Sequence, residues 1–268
     1  MTAARRDSEP TPSPRRRIVP RGLRLPLVLI VMWEGWFTVS DSAGTSLAPP
    51  SQIAAAFFSL WMDGSMLTAT LQTIAATLIG LAIGGTLGIV SGLFLGLSRS
   101  FDRLMEVTVE VSRPIPPVAL IPIALMIFGF GYRLETSIIA FSVVWPVMIL
   151  TRSAINSVEP QLKEYASLLR LSLWDKIRKI ILPATLPTLF VALRLGASIA
   201  LILAITVEIT INPIGLGSGI MTARMSLNPA YMLAYLVWIG LIGLALNASL
   251  LALQRRWFDY TRPRGGAR

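Results

Sequence analysis

Long apolar runs alternate with short polar, Arg-containing breaks along this 268-residue chain. A helix through a bilayer core takes about 20 apolar residues. Six runs meet or approach that length: residues 23–39, 70–97, 105–130, 134–151, 186–209 and 231–253. Pro114, Pro116, Pro117 and Pro122 interrupt the third, so a kinked or broken helix is expected there. Pro49-Pro50-Ser51 precedes the apolar stretch 53–61, which suits a short helix lying at the interface. Ser51 is placed to cap it and Trp61 to anchor it. The pattern predicts an all-α membrane protein with six transmembrane helices.

Composition supports this. Hydrophobic residues make up 54% of the chain and charged residues 14%, against about 25% charged in soluble domains. Mean hydropathy is +0.67. The net charge of +10 is unevenly spread. Of the 24 Lys and Arg residues, 21 fall in the N-terminal segment up to Arg24, in the segment from Arg99 to Arg113, in the break after the fourth run, and in the C-terminal tail. The positive-inside rule then puts both termini in the cytoplasm, which requires an even number of spans. The charge is therefore a topology signal, with no nucleic-acid partner implied. Residues 1–22 read as a disordered basic tail and 255–268 as a basic C-terminal tail, flanking a membrane-spanning domain over 23–254. Arg15-Arg16-Arg17 ahead of an apolar run also fits a secretion signal, but five further spans favour an anchor that stays.

The sequence contains neither Cys nor His. Disulfides, thiolate nucleophiles, imidazole bases and Cys/His metal sites are thereby excluded. It also lacks the P-loop pattern that would cradle ATP.

Gly80, Gly84, Gly88, Gly92 and Gly96 recur at steps of four in the second run. Such a ridge lets another helix approach the backbone closely, within one subunit or at an interface between subunits. Ala192, Gly196, Ala200 and Ala204 repeat the device in the fifth run. Ionisable residues inside membrane helices are costly and are functional candidates. Glu34, Arg194 and Glu208 qualify, although Glu208 also suits an outer water interface and Arg194 could snorkel.

The longest basic break, 158–183, reads as two short amphipathic helices. Glu159-Pro160 opens the first, with Leu162, Ala166 and Leu169 on one face. Ser172 and Asp175 form a capping signature for the second, and Pro183 is expected to stop it after Leu182. A docking surface and a loop resting on headgroups both fit this pattern.

Glu164-Tyr165-Ala166, Arg170, Ile180 and Leu182-Pro183 resemble the EAA loop of ABC importer permeases, in register from Glu164 to Pro183. Tyr165 and Arg170 depart from its usual Ala and Gly. Arg113-Pro114-Ile115-Pro116-Pro117, Phe128-Gly129-Phe130-Gly131, Leu47-Ala48-Pro49-Pro50-Ser51 and Glu208 with Ile214-Gly215-Leu216-Gly217 resemble segments of the nitrate, sulfonate and taurine branch.

The resemblance implies a multi-pass subunit of the bacterial inner membrane, not itself an enzyme. Two copies would form the pathway, a separate ATPase dimer would bind ATP and Mg, and an external binding protein would deliver the solute. Glu164 would fix the loop, Leu168 and Leu169 would contact the ATPase, and Pro183 would set the angle into the fifth span. Ala166, Arg170, Ile180 and Leu182 complete the loop. The branch favours small anions such as sulfonates, taurine or nitrate, and Arg113, Pro114 and Glu208 are candidates for the pathway. A stand-alone secondary transporter or channel is the alternative. An intramembrane enzyme is disfavoured by the missing His and Cys.

Overall fold

The computed structural model describes residues 21–39, 47–159, 161–162, 165, 168–169 and 171–258. Their regular structure is helical. In chain order it comprises α1 (Arg21–Val39), α2 (Pro50–Met62), α3 (Ser65–Leu97), α4 (Arg99–Ser112), a 3-10 turn (Pro117–Leu120), α5 (Ile121–Phe128) and α6 (Tyr132–Asn156). Then come α7 (Leu173–Lys176), a π-helical turn (Ile177–Ile181), α8 (Leu182–Thr210), α9 (Gly215–Met225) and α10 (Pro229–Phe258). Arg21 and Gly22, expected in the tail, already belong to α1, and 255–258 still belong to α10. The rest of both tails lies outside the described residues.

Four helical stretches are long and apolar enough to cross a membrane: α3, α6, the one containing α8, and α10. The apolar part of α1 is shorter, and α4 meets the segment Pro117–Phe128 at 85°. The break falls in the Pro114–Pro117 run. Prolines lack the N–H that a continuous helix needs and restrict the residues before them.

α3, α6 and α8 form the centre. A Cβ added to Gly84 would lie 2.6 Å from the Ala140 carbonyl oxygen, and one on Gly92 would lie 2.6 Å from that of Met148. Gly80, Gly88 and Gly96 meet Ile139, Val147 and Ile155 in the same way. The glycine ridge therefore seats α6 within this chain. Contacts climb together along both helices, so α3 and α6 run parallel. The chain between Leu97 and Tyr132 must therefore travel the length of the bundle, and α4 with α5 makes that passage. α8 runs antiparallel to both, bringing Leu193 to Gly85 and Glu208 to Thr73. Ile139, Val143, Val147, Ala192, Ala200 and Ala204 fill the seam.

A second cluster joins α2, α9 and α10 to the N-terminal half of α3, around Ile53, Leu60, Met66, Leu216 and Tyr235. Trp61 packs edge-on against Trp238 with ring centroids 5.1 Å apart. α2 is thus tied to α10 by aromatic packing. Much of the outward surface of α1 and α3 is apolar, including Leu29, Val31, Leu71, Leu78 and Leu87. Helices with satisfied backbones and apolar outer faces suit lipid.

Two local expectations are corrected. Ser51 does not cap α2: Pro50 takes the first helical position, and Ser51 donates its N–H and its hydroxyl to the Glu34 carboxylate at 3.0 and 2.7 Å. The group that satisfies this helix start comes from α1. Nor does Pro183 stop a helix after Leu182. Ile181 and Leu182 are both helical, and the helix continues through Pro183 and Pro187 to Thr210. The π-helical turn just before Pro183 shifts the hydrogen-bond register where proline removes a donor.

Candidate transport groove and coupling loop

One face of α6 carries Ser142, Trp145, Pro146, Ile149 and Arg152 at helical spacing, and it lines a groove. The groove has two adjoining sections that share Arg113 and Ile149. The larger, of about 380 Å³, lies between the α4–α5 bend, α6 and α8. Ile115, Phe141, Trp145, Ile202 and Leu203 are among its walls. The smaller, of about 130 Å³, is lined by Asp102, Glu106, Glu110, Arg113 and Arg152.

α4 builds the polar section because its acids recur every four residues on one face. Its apolar residues, Leu104, Val107 and Val111, are exposed on the other. Arg152 pairs with Asp102 at 2.6 Å and so links α6 to α4. Arg113 ends α4 at the bend, and Pro114 is exposed beside it.

Glu208 sits elsewhere, enclosed at 2% exposure. It accepts a hydrogen bond from the Thr73 hydroxyl at 2.7 Å and one from the Gly217 amide at 2.8 Å. Thr73 in turn accepts from the Leu216 amide at 2.9 Å. Gly215 has φ +86 and Gly217 leaves room for the Glu208 side chain, so a Cβ at either would collide with it. One carboxylate thus ties α8 to α3 and to the first turn of α9. Its neighbour is Glu135 of α6, fully buried, which accepts from the Asn212 side chain at 2.9 Å. Asn212 also accepts from the Gly131 amide at 2.8 Å. Arg194 donates to Asn247 of α10 at 2.9 Å.

Sequence reasoning missed Glu135, Thr73, Asn212 and helix α9. Glu135 reads as an ordinary acid in a helix's first turn. Thr73 and Asn212 carry no charge to attract notice. The available signal was the pair Gly215 and Gly217 so soon after Glu208: two positions without side chains near one carboxylate.

At the basic break, Leu168, Leu169, Leu173 and Trp174 are exposed, Leu168 by 77%. Ile180 is half-buried, and Leu182 and Pro183 are exposed. Ser172 accepts from the Asp175 amide at 3.1 Å, as its capping signature requires. Asp175 also pairs with Lys179 at 2.8 Å. That bond to Lys179, then the one to Ser172, holds its carboxyl below the usual range. Glu164, Ala166 and Arg170 lie outside the described residues.

Residues 84–259 match the family of binding-protein-dependent transport system inner membrane components. The chain belongs to this family. The permease is 27% identical over 236 residues to SsuC of Bacillus subtilis (strain 168), named for aliphatic sulfonates transport, covering 88% of this chain and 86% of that one. It is 26% identical over 246 residues to the nitrate import permease protein NrtB of Leptolyngbya laminosa, covering 87% and 85%. Its fold is similar to that of a chain in the inward-facing MetNI methionine ABC transporter, with a TM-score of 0.66 at 19% identity over 73% of this chain and 97% of that one. The permease is therefore a membrane-spanning subunit of an ABC importer in the inner membrane. Permeases of this kind work with an ATPase and a binding protein and are not enzymes themselves.

Proposed function

We propose that two copies of this permease form the pathway for a small anion of the sulfonate, taurine or nitrate kind, delivered from outside by the binding protein. Each copy crosses the membrane six times with both termini in the cytoplasm, α4 and α5 together making the third crossing. Parallel α3 and α6 support this, because a connection between parallel neighbours has to cross the bundle. The distribution of Lys and Arg supports the orientation. The substrate class rests on the relatives and on Arg113 at the groove.

The loop over 158–183 docks into the ATPase, which binds ATP and Mg. The observation that carries this reading is the row of exposed apolar side chains at Leu168, Leu169, Leu173 and Trp174 on an otherwise basic face. Side chains of that size left in water mark a surface that another protein covers. Because Leu173 leads through one continuous helix into α8, a push on the loop is transmitted to the groove wall at Ile202 and Leu203. Glu164 fixes the loop, and Pro183 sits where the π-helical turn gives way to α8.

The test is Leu169→Asp in the whole transporter. The expected result is loss of ATP-driven uptake, with the permease still in the membrane and the ATPase no longer co-purifying. Normal uptake with the ATPase retained overturns the docking assignment. Transport by the purified chain in liposomes without an ATPase would support the stand-alone reading instead.

A further inference from the structure

The groove has one section whose chemistry is more selective than a generic passage. Among the described residues lining the larger section, Arg113 alone carries a formal charge. The rest of the wall is aromatic, branched aliphatic and proline, apart from Ser142. The Ser142 hydroxyl is already committed as a donor to the Ile138 carbonyl at 2.9 Å. The Arg113 guanidinium has no hydrogen-bond or ion-pair partner among the described residues. Trp145, set edge-on to Phe141 with centroids 5.7 Å apart, carries a buried indole N–H that finds no acceptor among the described residues. The polar group that this wall leaves open to a ligand, the Arg113 guanidinium, is therefore a donor.

We propose that this section is a binding site in the membrane chain itself for an organic anion with an apolar, ring-sized body, and that, within the class of anions named above, it holds organic acids more tightly than small inorganic oxyanions. The assignment rests on the importer reading above and adds a second point of selection, independent of the binding protein.

The volume of about 380 Å³ falls in the range of about 300–1,000 Å³ that small organic ligands occupy. Arg113 is exposed, so a small inorganic oxyanion gains there only the modest attraction of a solvated guanidinium. An organic anion gains more, since its body also meets Phe141, Trp145 and Ile202 while its acid group meets Arg113. The carboxylates mark the site's boundary. Asp102 is paired with Arg152, and Glu106 and Glu110 line only the adjoining section. Like charge there holds the acid group at Arg113 rather than beyond it.

The experiment uses the full-length permease in nanodiscs, titrated calorimetrically with benzenesulfonate, nitrate and benzyl alcohol. Benzenesulfonate is expected to bind saturably and at least tenfold more tightly than either of the others. Arg113→Gln should bring benzenesulfonate down to the level of benzyl alcohol, and Arg113→Lys should recover part of the difference. Phe141→Ala should weaken benzenesulfonate at least fivefold and leave nitrate unchanged. Size-exclusion profiles of the variants identify any that fail to fold, and the wild-type ligand order stands whatever they show. Nitrate binding as tightly as benzenesulfonate, or a folded Arg113→Gln that binds all three as wild type does, overturns the site. Failure here leaves the Leu169→Asp result untouched, and the reverse also holds.

Discussion

The hydroxyl of Thr73 on α3 donates to the carboxylate of Glu208 on α8 at 2.7 Å, and both groups are buried. The same hydroxyl accepts the Leu216 amide, so one small side chain joins three helices. Its removal leaves an acceptor and a backbone donor without partners. Thr73→Val, which keeps the shape, is expected to cost about 2 kcal/mol. Thermal unfolding of the purified permease checks this, and unchanged stability would mean that water replaces the hydroxyl.

The glycine ridge makes a second, two-sided prediction. Gly84→Ala puts a methyl 2.6 Å from a backbone oxygen that cannot turn aside. Overpacking of this kind costs about 1–3 kcal/mol. Gly240 has nothing within 4 Å of an added Cβ and lies inside α10. Gly240→Ala is expected to be neutral or to stabilise by up to about 1 kcal/mol through helix propensity. Melting temperatures of the two variants should therefore move apart.

Glu34 and Ser51 link α1 to α2 through two hydrogen bonds to one carboxylate. The site is partly exposed, so the coupling should be modest. A double-mutant cycle of Glu34→Ala and Ser51→Ala is expected to give an interaction energy of about 1 kcal/mol. Additive single effects would show that α1 is held by its apolar contacts alone.

Ser172 and Asp175 predict how the loop responds to pH. Asp175 is held below its usual value of 3.8 by Lys179 and Ser172. A carboxyl lowered on folding contributes stability that is complete above the unfolded value and lost as pH falls through the folded one. ATPase coupling should therefore be flat from about pH 5 to 8 as far as this pair is concerned, and the pair should weaken only below about pH 4. Ser172→Ala removes the cap at any pH and should cost the start of that helix about 1 kcal/mol. ATPase activity of the assembled transporter across pH, for wild type and Ser172→Ala, tests both points.

How much was legible in the sequence depends on how local the signal is. The break near Pro114 and the capping pair Ser172–Asp175 could be read directly, because proline geometry and cap spacing act over a few residues. Ser51 was misassigned because its partner Glu34 is 17 positions away. Pro183 was misassigned because a π-helical turn can absorb a missing donor, which depends on the helix that precedes it. The role of Glu208 was open between outer water and the pathway. Only the fold brings Thr73, Gly215 and Gly217 around it.

The sequence by itself determined that this chain lives in a bilayer, where its apolar runs begin and end, and which basic break carries apolar side chains at helical spacing. Those properties follow from transfer free energies and hydrogen-bond rules that apply residue by residue. The tertiary structure alone decided that the glycine ridge serves α6 rather than another subunit. It also decided that Glu208 is locked inside the bundle, and that Arg113, Phe141 and Trp145 share one cavity. Each of these is a meeting of residues far apart in the chain, fixed by which helix faces fit together, and no local pattern encodes that fit.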